Sequence, residues 1–63
     1  MKYYLVTVQN DSTQSIFAYS NVDDALVAFH TELAYHAEDR NRTLCIIFDS
    51  SGECIRKEEW VRI

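Results

Sequence analysis

Two short runs, Tyr3 to Val8 and Thr43 to Phe48, are apolar at nearly every consecutive position. Both are rich in aromatic and β-branched residues, the composition of a strand. Side chains alternate between the two faces of a strand, so Tyr3 and Leu5 oppose Tyr4, Val6 and Val8. In the second run Leu44, Ile46 and Phe48 oppose Cys45 and Ile47, and in a third, Ser15 to Tyr19, Ile16 and Ala18 oppose Phe17 and Tyr19. An antiparallel sheet with one wet face alternates apolar and polar residues. These strands do not alternate in that way, so both faces of the sheet they form need cover. The chain has 63 residues, enough for a single small domain, and a fold of that size buries only about 60% of its extended surface.

One helix is legible between the strands. Ser20 and Asn21 offer N-cap oxygens, each with an aspartate three residues on (Asp23, Asp24), a short-armed capping box at the positive end of the helix dipole. Val22, Ala25, Leu26, Phe29, Leu33 and Ala37 recur at helical spacing on one side, which predicts a helix ending near Arg40 with a single buried stripe. Asn10 to Gln14 reads as the loop of a hairpin between the first two strands. Asp49-Ser50-Ser51-Gly52 reads as a tight turn, with the one glycine of the chain placed for a positive φ. The last strand is expected from Glu53 to about Ile63. Its charged middle, Arg56 to Glu59, suits a protected edge, and the order of Trp60, Val61 and Ile63 hints at a bulge. The predicted fold is α+β, in the order ββαββ, with a four-stranded, largely antiparallel sheet and one helix on one face, over residues 1–63 as a single domain.

Composition then excludes whole classes of function. No apolar run approaches the ~18 residues a membrane helix requires, and no signal peptide follows Lys2, so the expected location is cytoplasmic. Ten acidic against six basic residues give a net charge of −4, which argues against a nucleic-acid ligand, since phosphate neutralisation needs a clustered basic excess. Arg40 and Arg42, with Arg56, Lys57 and Arg62, form two small basic groups that read as solvated surface. Cys45 and Cys54 are nine apart with no CxxC, which in a reducing compartment points to free thiols.

Catalytic and metal-binding patterns fail on geometry. His30 and His36, six apart, lie about 120° apart around a helix and cannot jointly hold a metal as an i, i+4 pair can. Asp23 and Asp24 are explained as caps, and Glu58 and Glu59 face opposite sides of a strand. A Cys45/His36 nucleophile pair lacks any activating neighbour in the sequence, and one glycine cannot build a phosphate-cradling loop. No catalytic residue, metal site or cofactor follows from the sequence, and an enzyme is not expected.

The segments MKYYLVTVQ and DDALVAFHTELAYHAEDRNRTLCIIFDSSG together resemble a group of small uncharacterised proteins of bacterial genomes and prophage-like mobile elements. That resemblance spans nearly the whole chain and implies a cytoplasmic setting, without any activity or site residues. A second similarity, to the Hic-type antitoxins, rests on a hairpin followed by a helix entered at Ser20 to Leu26. Those proteins carry a Pro-Gly segment before the helix, and this chain has no proline. Such an analogy reaches the fold and not the function.

What remains is a protein-interaction or regulatory module, expected to form a homodimer or to meet a protein partner through the sheet face left uncovered; the alternative for that face is a sheet curled around the helix, with the tyrosine hydroxyls at its rim in water. The candidate interaction residues are Tyr3, Tyr4, Phe17, Tyr19, Ile47 and Trp60. The alternative is an acidic inhibitor or nucleic-acid mimic, with Asp11, Glu32, Glu38, Asp39 and Glu53 standing in for phosphates. Periodicity alone does not tell which face the helix covers.

Overall fold

The computed structural model describes residues 1–38 and 42–60. The elements are β1 (Tyr3–Gln9), β2 (Ser12–Tyr19), α1 (Val22–Tyr35), β3 (Thr43–Asp49) and β4 (Cys54–Trp60), the predicted ββαββ order. They form one antiparallel sheet in the order β2-β1-β3-β4. β2 and β3 therefore run parallel on either side of β1, and α1 crosses the sheet to connect them. This crossover lays α1 against β1, β2 and β3.

The first turn is tighter than the sequence implied. Asn10 and Asp11 both take positive φ, 52° and 66°, the signature of a two-residue type I′ hairpin. Asn and Asp tolerate this left-handed conformation better than other non-glycine residues. β2 consequently begins at Ser12 rather than Ser15. The polar residues Ser12 to Gln14 resemble a loop only because they are exposed on the outer strand. A bulge at Gln14 absorbs the register shift between Thr7 and Val8.

Asn21 is the N-cap: its Oδ1 accepts from the Asp24 N–H at 2.9 Å, and its Nδ2 donates to Asp24 Oδ2 at 3.0 Å. Ala25 and Phe29 are buried, while Val22, Leu26 and Leu33 are half-buried. The helix stops at Tyr35, short of Arg40, which lies outside the described residues. Its apolar stripe ends first, since Ala34, Tyr35 and Ala37 are exposed and give further turns little to bury.

At the other hairpin Gly52 has φ +91° and its N–H donates to Asp49 O at 2.9 Å, as the sequence anticipated. Phe48 pairs with Cys54 and Ile47 with Arg56, so Ile55 is the extra residue of a bulge, and it packs against the core. Within the described residues β4 runs from Cys54 to Trp60; the bulge expected among Trp60, Val61 and Ile63, and the strand end expected near Ile63, concern residues 61–63, outside those described. Arg56 to Glu59 do line an edge of the sheet.

Candidate interaction surface

Burial decides which face α1 covers. On β1 it is the face of Leu5 and Thr7, and on β3 that of Thr43, Cys45, Ile47 and Asp49, all of them buried. With Ala25 and Phe29 from α1, the residues Leu5, Cys45 and Ile47 make up the core. Tyr3 and Tyr19, paired across β1 and β2, are half-buried at its margin.

The opposite face of the two central strands consists of Tyr4, Val6, Val8, Leu44, Ile46 and Phe48. Pairing aligns them as Tyr4 with Phe48, Val6 with Ile46 and Val8 with Leu44, and the Tyr4 and Phe48 rings lie 5.5 Å apart. β2 extends the patch with Ile16 beside Val6 and Ala18 beside Tyr4. The covered face of the same two central strands carries Thr7, Gln9, Thr43 and Asp49. The uncovered face is thus the more apolar one. No element described here lies over it, although such surface is ordinarily what a helix is used to bury.

The candidates named from sequence divide between these two faces. Tyr4 belongs to the uncovered patch. Ile47 does not: it is 0% exposed beneath α1 and can meet no partner in the folded chain, which corrects its place among the interaction residues. Phe17 pairs with Leu5 on the helix side but sits on the outer strand and is 49% exposed, so it remains available. Tyr3 and Tyr19 lie on the helix side. The Trp60 backbone pairs with Thr43, and its side chain is outside the described residues. Sequence reasoning missed Val6, Val8, Leu44, Ile46 and Phe48, because a strand that is apolar on both sides carries no sign of which side is open.

The polar side chains near the end of α1 serve packing. His36 Nε2 lies 3.1 Å from Glu32 Oε2, and its Nδ1 lies 3.2 Å from Gln9 Nε2. An amide nitrogen only donates, so Nδ1 accepts and Nε2 carries the proton shared with Glu32. Gln9 Nε2 also donates to Thr43 Oγ1 at 3.3 Å, which ties the helix end to β1 and β3. Cys45 instead has Thr7 Oγ1 at 3.8 Å. Burial pushes its thiol above the ordinary value; the Thr7 contact opposes this, and the charge of Glu32 adds to it. A thiol so placed is a core hydrophobe rather than a nucleophile.

Cys54 is exposed and Cys45 is buried, each unbridged, and they pair at different positions along the sheet. A disulfide reagent such as dithionitrobenzoate is expected to titrate one thiol per native chain quickly, the second only on unfolding. Equal rates for the two thiols would contradict the burial of Cys45.

Asp49 shapes the β3–β4 turn. Its Oδ1 accepts from the N–H and hydroxyl of Ser51 and from the Glu53 N–H at 3.1 Å, which lowers the carboxyl pKa. The Ser51 hydroxyl is the largest cause. A lowered pKa in the folded chain stabilises above the unfolded value, and that stability is lost as pH falls through the folded one. Thermal melts should therefore show an acid-side decline that is shallower in Asp49→Asn. Superimposable profiles would remove Asp49 from the turn's energetics.

A shallow depression of about 50 Å³, lined by Val8, Asp11, Arg42, Leu44 and Glu59, borders the apolar patch. Arg42 and Glu59 pair across it at 3.2 Å. A depression of that volume has room for a few waters. Among the described residues no cluster of three or more metal-ligating side chains occurs. The acidic side chains of the mimic reading sit on separate elements: Asp11 in the first turn, Glu32 on α1, Glu38 just after it and Glu53 in the second turn. Asp39 is outside the described residues. Among the described residues no helix is long and apolar enough to cross a membrane. No family model matches the chain, and neither a curated protein nor a solved structure matches it.

Proposed function

We propose that this chain is a non-enzymatic interaction module that associates with a second copy of itself through the uncovered face of its sheet. One observation carries this reading: the central strands bury their more polar face beneath α1, and among the described residues no element covers Tyr4, Val6, Val8, Leu44, Ile46 and Phe48. Stacking two such faces about a two-fold axis closes a second core between sheets ~10 Å apart. Lys57 and Glu59 of β4, paired with Ile46 and Leu44, supply a charged border on one side. A small domain that is marginal alone gains burial from its copy. The small-protein resemblance and the cytoplasmic setting belong to the same proposal.

The test is nuclear relaxation by a soluble nitroxide. In the assembled protein the methyls of Val6, Val8, Leu44 and Ile46 are expected to be shielded from the probe, while those of Val27, 68% exposed on α1, are not. Relaxation of the sheet methyls as fast as that of Val27 would show the face open to water and overturn the reading.

A further inference from the structure

The two edges of the sheet differ in a way the uncovered face does not explain. β4 carries Arg56, Lys57, Glu58 and Glu59 in succession, a charged edge of the kind that resists pairing with other chains. β2, Ser12–Tyr19, has eight residues without a charge or a proline. It nevertheless presents a row of backbone groups and two large exposed apolar side chains, Ile16 at 62% and Phe17 at 49%. An edge of this kind is a template for a further strand.

The hydrogen-bond phase shows which backbone groups face outward. Ser50 N–H donates to Lys2 O at 3.0 Å and Asn10 N–H to Arg42 O at 2.9 Å, so the even-numbered positions of β1 bond toward β3. Antiparallel bonding alternates, hence Tyr3, Leu5 and Thr7 bond to their β2 partners Tyr19, Phe17 and Ser15. The N–H and C=O groups of Ile16 and Ala18 are thereby directed to the outer edge.

We propose that β2 pairs antiparallel with β2 of a second copy about a two-fold axis at Phe17, making one continuous eight-stranded sheet. This register lets Ile16 exchange both backbone bonds with Ala18 of the copy and the reverse. Phe17 meets its own copy at a non-hydrogen-bonded site, where opposing side chains come closest. The paired segment, Ser15 to Tyr19, lies wholly beyond the bulge at Gln14, whereas centring on Ile16 would run into it. Charge selects this edge over the other. A two-fold antiparallel pair sets one residue against its own copy, and on the middle of β4 that residue is charged at every position from Arg56 to Glu59. On β2 it is an aromatic ring, and a chain of net charge −4 meets itself there without opposing like charges.

This contact uses the edge and is independent of the stacked face, so the two are tested apart. Amide exchange at millimolar concentration is expected to show the Ile16 and Ala18 amides slowed at least about tenfold relative to unstructured rates. Phe17→Lys, which sets two lysines opposite each other at the axis, should abolish that protection and leave the Leu5 and Val6 amides protected. Ile46→Lys, on the stacked face, should leave it intact. Unprotected Ile16 and Ala18 amides in the wild-type chain, protection that survives Phe17→Lys, or protection lost through Ile46→Lys alone would each overturn the edge contact.

Discussion

Phe29→Ala is expected to leave the chain unfolded at 25 °C. Among the described residues Phe29 is the largest fully buried side chain, inserted from α1 between Leu5, Cys45 and Ile47. Truncating a buried phenylalanine costs about 3–5 kcal/mol through lost transfer energy and the cavity left behind. A single core in a domain of this length supplies no more than ~3–5 kcal/mol in all. The substitution therefore removes about as much stability as the folded chain possesses. Val27→Ala, two residues earlier and exposed, should change stability by less than about 0.5 kcal/mol, which separates core loss from any effect on the helix itself. Circular dichroism with urea titration reads both variants. A cooperative transition retained in Phe29→Ala with a small midpoint shift would mean that the core is not organised around this residue.

Ile46→Lys has the second large expected effect, and it falls on assembly rather than on folding. Ile46 sits at the centre of the uncovered patch, paired with Val6 of β1 and Lys57 of β4. In a lone chain the substitution replaces a half-buried side chain with one that can lift its charge into water, so the monomer fold persists. In a two-fold stack the change occurs twice, each copy losing about 1.5–3 kcal/mol of apolar burial and gaining a desolvated ammonium. The dissociation constant of the face-to-face contact should rise at least about 100-fold, taking 1.4 kcal/mol as tenfold, while pairing at the β2 edge is unaffected. Unchanged self-association in Ile46→Lys, with the fold intact by circular dichroism, would place the contact elsewhere.

These two residues also mark how far the sequence could be read. Phe29 was legible because helical spacing sorts residues around an axis, and only one side of α1 is apolar enough to bury. The Asn21 cap and the positive-φ Gly52 were legible for a similar reason, as each local conformation admits few residue types. Ile46 and Ile47 are different. They are adjacent, chemically identical and on opposite faces, and a one-residue change in which face the helix covers would exchange their roles. Ile47 went to the core because Leu5 stands beside it on β1 and Phe29 above it. That is a tertiary outcome with no trace in the alternation of β3. Ser12 to Gln14 looked like a loop for the converse reason: a strand at the edge of the sheet can expose polar residues without losing its backbone bonds to β1. The end of α1 depended on where the apolar stripe ran out and on His36 being tied to Gln9, a contact between residues 27 positions apart.

Sedimentation velocity of the wild-type chain at low micromolar concentration addresses self-association most directly. Cover of the exposed sheet by a second copy predicts a principal species of at least twice the 7.4 kDa chain mass. A single 7.4 kDa species across the concentration range would contradict it.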